Sequence, residues 1–404
     1  MQTIVIGAGA SGMAAAITAS RRPGNRVRLL ERQNRVGRKL SATGNGRCNL
    51  TNLSALPSSY HSDTGADCFA LEAFPVSSTL SFFEKLGLVW VSEEDGRCYP
   101  LSDQANSVVD VLRFALDASG VQTVLGCEVQ SVQIGKHGFH LETSSGDFSC
   151  DKLIIACGGP ASEKLGATSD GARFLRMLGH SVTPLSPGLV QLRSPEPLLK
   201  SLKGIRAQAS MQLLHHGDLL LTHSGEVQFV DGGVSGPAIF DLSRVADKQY
   251  PCQLLLDFLP QFSHNALLSA MKNRVQTLPE LTAEDLFTGM IHNRLGRVLV
   301  RKAGIEASVS LGSLLPAQLE KCCTQAKAFS LELTGSFGME NAQITIGGAD
   351  ASQFHPKTLE SLLVPGLYAC GEVLDVDGPC GGFNLQWAWS SGMLAGSLCH
   401  EVTP

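Results

Sequence analysis

Several short apolar runs along this chain give way at once to glycine. "TIVI" (3–6) is followed by "GAGASG" and then by "MAAAITAS", a run of strong helix formers, so the pattern predicts strand, tight turn and helix. "RVRLLE" predicts a second strand ending at Glu31. "DKLIIACGG" (151–159) reads as a buried parallel strand ending in glycines, and "GLYACGE" as another that ends in Gly371-Glu372. A helix from about Phe383 follows Gly381 and Gly382, and "GATSDGARFLRMLG" puts Asp170-Gly171 at a helix start. Between about 187 and 340 the texture changes. "GIRAQASMQLLHHGDLLLTHSGEVQFV" alternates apolar and polar positions, which predicts antiparallel strands. "HNALLSAMKNRVQTL", "AEDLFTGMIHNRLGRVLVRKAG" and "LPAQLEKCCTQAKAF" carry helical patterns. The expected organisation is a first segment 1–186, an inserted β-rich domain 187–340 with a helical subdomain at about 262–330, and a return 341–404 that completes the first domain.

The chain has 404 residues, 43% hydrophobic and 17% charged, the balance of a soluble globular protein with room for more than one domain. A formal charge of −5 gives no global basic signal for nucleic acid or membrane. Locally, Arg294, Arg297 and Arg301 recur at i, i+3 and i+7 on one helix face, with Lys302 beside them. That stripe suits RNA phosphates, and equally suits plain solvation. The 12 cysteines include no C-x-x-C pair and read as free thiols of a reducing compartment. The N-terminus lacks the basic region of a signal peptide, and no apolar run is long enough to span a bilayer, so a cytoplasmic protein is expected. No spacing fits a metal site.

The first turn carries the chemistry. Gly7 permits the tight turn, Gly9 lets a pyrophosphate reach the backbone, and Gly12 lets the helix pack close to the strand. The helix start offers free N–H groups and a positive dipole end. Glu31 stands where an acid binds ribose hydroxyls and repels the 2′-phosphate of NADP. The choice between NAD and FAD turns on "GRKLSATGNGRCNLTN" (37–52). A loop this rich in Gly, Asn and Thr suits wrapping around a large polar ligand, which favours FAD. Glu372 at the end of its strand suits ribityl or ribose hydroxyls. The helix start behind Gly381-Gly382 suits the pyrimidine end of a flavin, whose reduced form is anionic there. Asp170 is either a plain N-cap or a residue that faces the cofactor.

Together these blocks resemble the aminoacetone-oxidase/BaiN-like (YhiN-like) family of bacterial FAD-binding flavoproteins. The resemblance rests on "GAGASGMAAA", "KLSATGNGRCNLTN", "LLLTHSGEVQFVDGGVSGPAIFDLS", "ITIGGADASQFHPKTLES" and "VPGLYACGEVLDVDGPCGGFNLQWAWSSGMLAG", and covers nearly the whole chain. It implies an α/β protein: a Rossmann-type FAD-binding domain of the glutathione-reductase-like superfamily with an inserted domain, and noncovalent FAD. By motif position it implies FAD contacts at Gly7, Gly9, Ser11 and Gly12, at Glu31 and Lys39, and at Asn45, Gly46, Arg47, Cys48 and Asn49. It implies others at Gly371, Glu372, Gly382, Phe383, Asn384 and Gln386. Ala10, Arg32, Leu40, Val129, Ala156, Gly158, Asp170 and Gly381 complete the expected set. Members of the family act on aminoacetone, on unsaturated 3-oxo bile-acid intermediates, or on a uridine of large-subunit ribosomal RNA. Fold and cofactor carry over; the substrate does not. One departure stands out: "SGEVQFVDGG" lengthens the spacer between His223 and the "GVSGP" element.

No second GxGxxG follows a strand and no CxxC pair is present, so a dedicated NAD(P)H domain is not expected. NAD(P)H is left open as a transient electron donor. The proton candidates are His223, Cys48 and His355. Arg47 beside Cys48 is expected to lower its thiol pKa, although Cys48 also reads as a small residue packed beneath the loop. The expected function is an FAD-dependent oxidoreductase that transfers hydride between flavin and a small amine, carbonyl or enone metabolite. The alternatives are a ribosomal RNA dihydrouridine synthase, with the arginine stripe on its RNA, and a non-catalytic flavin-binding sensor.

Overall fold

The computed structural model describes residues 1–65 and 69–398; residues 399–404 of the expected return segment lie outside the described residues. The first apolar run forms β1 (Gln2–Ile6), and the alanine-rich run after the glycines forms α1 (Ala10–Ser20). With β2 (Arg26–Glu31), β3 (Gln122–Leu125), β4 (Lys152–Ile155) and β5 (Leu367–Ala369), β1 builds one parallel sheet in the order β5-β4-β1-β2-β3. The register sets Ile4 beside Arg28 and Leu153, and Ile155 beside Ala369. Val5, Leu29, Leu153, Ile154 and Ile155 are all fully buried, the signature of a parallel sheet covered on both faces. Because the strands are parallel, Gly7, Glu31, Ala156 and Gly371 arrive at the same edge of the sheet.

The last helix, α2 (Phe383–Ser397), packs on α1, and both are buried nearly all round. Small residues make the approach feasible. A Cβ on Gly392 would stand 2.4 Å from the Ser11 carbonyl oxygen, and one on Gly396 2.4 Å from that of Ala15. Ala14, Ala15, Ala16 and Ala19 of α1 are fully buried. The two ends of the chain therefore share one core.

Chain contacts divide the protein into two compact units: Met1–Gly188 with the chain from Ala342 onward, and Leu189–Asn341. The second unit has a core of its own. It holds a seven-stranded antiparallel sheet built around the hairpin Arg206–His215 and Asp218–Val230. Helices His264–Thr277, Asn293–Lys302 and Pro316–Lys327 accompany it. The helical expectation over "AEDLFTGMIHNRLGRVLVRKAG" needs correction. Ala283–Asp285 is a single tight turn, Gly289 has a φ of 84°, and the helix begins only at Asn293. The reason is local: the His292 side chain accepts the Arg294 N–H at 3.2 Å and caps the helix there. The lengthened spacer "SGEVQFVDGG" extends the second hairpin strand and turns back into Gly233–Ser235.

Candidate functional site

The site is built on the strand–turn–helix unit at the N-terminus. Gly7 has a φ of 101°, and a Cβ there would meet the Ala156 carbonyl oxygen at 2.6 Å, so only glycine fits. A Cβ on Gly12 would stand 1.8 Å from the Gly7 carbonyl oxygen, which fixes helix against turn. Gly9 differs from both: a Cβ there would meet nothing within 4 Å. The first turn of α1 has no side-chain cap and no acidic residue, so its amides and dipole are left for an anion at Gly9, Ala10 and Ser11.

Glu31 closes the turn from the side. Its carboxylate accepts the Ala8 N–H and the Gln33 N–H, each at 2.8 Å. Burial raises its pKa above the ordinary carboxylate value, and these amides oppose the rise. Beside it, Arg32 lies between Asp170 at 3.7 Å and Glu128, the sequence neighbour of Val129, at 3.8 Å. Asp170 is not the cap of its helix. Ser169 holds that position, while the Asp170 carboxylate pairs with Arg173 at 3.0 Å. Gly158, just past β4, has a φ of 69° and open space around it.

The C-terminal stretch arrives from the opposite side of β4. Ser11 Oγ donates to the Cys370 carbonyl at 3.5 Å, and a Cβ on Gly371 would meet that Oγ at 2.4 Å. Glu372 accepts Lys39 Nζ at 2.9 Å and the Thr345 N–H at 2.7 Å. Thus two residues expected at the cofactor, Lys39 and Glu372, stand in one ion pair although they are far apart in sequence. The 37–52 loop is more regular than its composition predicts. Leu40–Gly46 coils into short turns, with Leu40 buried, and Thr51–Asn52 pairs with Arg97–Pro100. Within it Asn45 and Cys48, neither a glycine, have φ of 56° and 62° beside Gly46 at 87°. Such left-handed residues cost about 1 kcal/mol or more each and gather at functional segments. Asn49 Oδ1 is buried with no hydrogen-bond partner, 2.7 Å from where a Gly382 Cβ would stand. At Gly381, the carbonyl accepts Asn52 Nδ2 at 3.0 Å. An open glycine, uncapped amides, an acid on the neighbouring strand and an orphaned acceptor fit a polar dinucleotide along this edge, as FAD requires.

Other expected residues have partners within the protein. Gln386 is fully buried and its amide is consumed within the protein. Its oxygen accepts Thr51 Oγ1 at 2.6 Å, and its nitrogen donates to Thr79 and Ser390 hydroxyls at 2.9 and 2.8 Å. Asn384 folds back on Gly378 and bonds its N–H and its carbonyl at 2.9 and 2.7 Å. The backbone carbonyl of Phe383 accepts the Tyr60 hydroxyl at 2.8 Å. Arg47 turns outward to Asp103 and Glu93 and lies over Tyr99 at 3.9 Å. It does not activate Cys48. That thiol is completely buried, and burial pushes it up to about 12, the reverse of the expected direction. His355 accepts the Lys357 N–H at 3.3 Å inside a surface turn. His223 belongs to the second unit, where its Nε2 meets Asp241 Oδ2 at 3.4 Å. On the arginine helix, Arg294 donates to the Ser201 carbonyl and Arg297 pairs with Glu284 at 3.2 Å. A cleft of about 660 Å³ lined by Arg35, Asn106, Asp110 and Arg113 includes none of the expected site residues.

Sequence reasoning passed over Tyr60, Asn52 and Trp387, whose indole donates to the Gly371 carbonyl at 3.1 Å. Their partners are backbone atoms distant in sequence, which no local pattern announces. Among the described residues no group of side chains could hold a metal, and no helix is long and apolar enough to cross a membrane.

The HI0933-like protein Rossmann domain matches residues 1–398. A 3-dehydro-bile acid delta(4,6)-reductase of Clostridium scindens is 36% identical over 98% of this chain and 98% of its own length. The ribosomal RNA dihydrouridine synthase of Escherichia coli is 32% identical, covering 96% of this chain and 95% of its own. That of Haemophilus influenzae is 28% identical, covering 96% of each.

Proposed function

The chain belongs to the HI0933-like family, and on that premise we propose that it is an FAD-dependent oxidoreductase acting on a small unsaturated or amine/carbonyl metabolite. The observation that carries the reading is the sheet edge where Gly9, Glu31, Lys39 and Glu372 converge from both ends of the chain. When bound, FAD supplies the hydride chemistry. The protein's part is to hold it without a covalent bond. The α1 amides at Gly9 to Ser11 take the pyrophosphate, and Glu31 takes the ribose hydroxyls. Glu372 takes further hydroxyls, with Lys39 balancing its charge. Asn49 Oδ1 gains the donor it lacks within the protein. Cys48, completely buried, is not the residue that holds the proton. NAD(P)H is the proposed transient reductant, and the cytoplasm the proposed compartment.

The relatives point to two substrate classes, a 3-oxo bile acid in one and ribosomal RNA in the others. The small-metabolite reading is favoured because two arginines of the exposed stripe are already engaged, Arg294 on Ser201 and Arg297 on Glu284. The test reduces the purified holoprotein with NAD(P)H under anaerobic conditions. The reduced protein is then offered a 3-oxo-4,6-diene steroid or unmodified ribosomal RNA, and the oxidised protein is offered aminoacetone. Reoxidation by the steroid, or reduction by aminoacetone, supports the reading. Reoxidation by RNA alone, with dihydrouridine formed, overturns it in favour of RNA. A flavin that exchanges electrons with none of them favours a sensor.

A further inference from the structure

The pairing of β5 with β4 ends where the Cys370 N–H reaches the Ile155 carbonyl at 3.1 Å. Gly371 comes next. It is buried, yet it lies past the ladder, so its backbone polar groups need other partners. Two side chains one turn apart on α2 supply them. The Gly371 N–H donates to Ser391 Oγ at 2.9 Å, and the Trp387 indole N–H donates to the Gly371 carbonyl at 3.1 Å. The Ser391 hydroxyl gives its own proton to the Trp387 backbone carbonyl at 2.6 Å, which leaves its oxygen free to accept from Gly371. The Leu374 N–H also reaches the Gly371 carbonyl, at 3.2 Å, and closes the short turn Gly371–Val373. Ser391 is 0% exposed and Trp387 2%.

The opposite side of Gly371 is shut by α1. Its φ is 77°, and a Cβ there would stand 2.4 Å from Ser11 Oγ. Tyr60 packs against the Trp387 ring, with 6.4 Å between centroids. Gly371 is thus held between two helices, by hydrogen bonds on one side and by steric contact on the other. Packing alone does not call for a serine at 391. Alanine suits a buried helix better, and a buried hydroxyl is tolerated only when it is bonded. The Gly371 amide accounts for it. The residue that this grip presents is Glu372, whose carboxylate meets Lys39 Nζ at 2.9 Å and the Thr345 N–H at 2.7 Å.

We propose that Ser391 and Trp387 are positioning residues: from α2 they grip both backbone polar groups of Gly371 and so aim the Glu372 carboxylate at the hydroxyls of the cofactor. The inference rests on the FAD reading above, in which Glu372 takes those hydroxyls. Both residues act through Glu372, so their effect on the cofactor exists only while that carboxylate is present.

The experiment is a double-mutant cycle on FAD release from the holoprotein, followed by flavin fluorescence. Ser391→Ala leaves the Gly371 N–H without its acceptor and is expected to release FAD about tenfold faster. Trp387→Phe keeps a ring but not the donor. It shifts release the same way but less, since Leu374 still serves the carbonyl. Glu372→Ala removes the group being aimed. The double variant Ser391→Ala/Glu372→Ala should then release FAD within about twofold of Glu372→Ala alone. Ser390→Ala is the control. That serine is equally buried on the same helix, but its hydroxyl donates to the Phe74 carbonyl at 2.6 Å, so any effect it has persists beside Glu372→Ala. A wild-type release rate in Ser391→Ala, losses that add in the double variant, or a Ser390 effect that vanishes with Glu372 overturns the proposal. Amide exchange at Gly371 in flavin-free protein reads the grip alone. Slow exchange in wild type and fast exchange in Ser391→Ala supports it, and fast exchange in wild type overturns it. Slow exchange in a wild type that holds no FAD shows an intact grip and sinks the cofactor reading, with the positioning role that rests on it.

Discussion

Gly9 sits between two glycines that the packing requires, yet has room of its own. Gly9→Arg is therefore expected to fold, since a Cβ there meets nothing within 4 Å, and to lose FAD, since the side chain competes for the space against the α1 amides. Flavin absorbance of the purified variant, set beside its melting temperature, checks both halves. His180 shows what burial does to a titratable group outside the site. It is 4% exposed, stacked on Phe354 at 4.8 Å, and shares a hydrogen bond with Ser361 Oγ at 2.8 Å. Burial lowers its pKa below the ordinary 6.5. The unfolded chain then binds this proton more readily than the native one, so stability is complete above that ordinary value and falls as pH drops through it. Melting curves from about pH 7 to about pH 5 should show the loss, and His180→Phe should shrink it. A slope that the substitution leaves untouched would assign the loss to other groups.

At the scale of elements, the contact between α1 and α2 decides whether the two glycine-rich turns meet. Gly392→Val puts a branched side chain where even a Cβ lies 2.4 Å from backbone. The expected cost is about 3 kcal/mol or more, with FAD affinity lost alongside stability. Denaturant midpoints and flavin titration measure the two effects, and an undisturbed midpoint would show that the helices can part without penalty. This contact also shows what a sequence makes legible. β1, α1, β2, β4, β5 and α2 could be read because each apolar run and its glycine punctuation are contiguous. The parallel sheet is legible chiefly from the run Leu153–Ile155, apolar and buried at every position. The side-chain partners of Gln386 and Asn384 are illegible for the opposite reason. The two residues lie in a cofactor-like motif, but Gln386 takes Thr51 and Thr79 as partners from more than 300 residues away. Arg47 was misjudged likewise: adjacency in sequence to Cys48 said nothing of Asp103 and Glu93, which hold it outward. Helix onset at Asn293 turned on a histidine cap that periodicity does not register.

At the scale of the whole molecule, the chain leaves the first unit at Gly188 and re-enters at Ala342. The strands flanking that excursion are paired to each other. Ser186 lies opposite Ile346, and Gly188 opposite Ile344, in antiparallel register. The exit and return are therefore already held as the two arms of a hairpin, and the first unit does not need the intervening residues to bring them together. Each unit also buries its own apolar core. Closing a short loop between paired strands costs little chain entropy beyond what the pairing has fixed. Replacing Leu189–Asn341 with a four- to six-residue Gly/Ser turn, a length of about the usual hairpin range, should thus leave a folded first unit. That unit keeps Gly9, Glu31, Lys39 and Glu372, so it is expected to take up FAD, with affinity within about tenfold of the whole protein. Its flavin should also reduce with a chemical reductant, and a turnover assay reads what the removed residues add. Circular dichroism, flavin titration and a turnover assay on the excised protein separate these outcomes. A folded, colourless product would mean that the cofactor also depends on the residues removed, and would move part of the site out of the unit that holds the glycine turn.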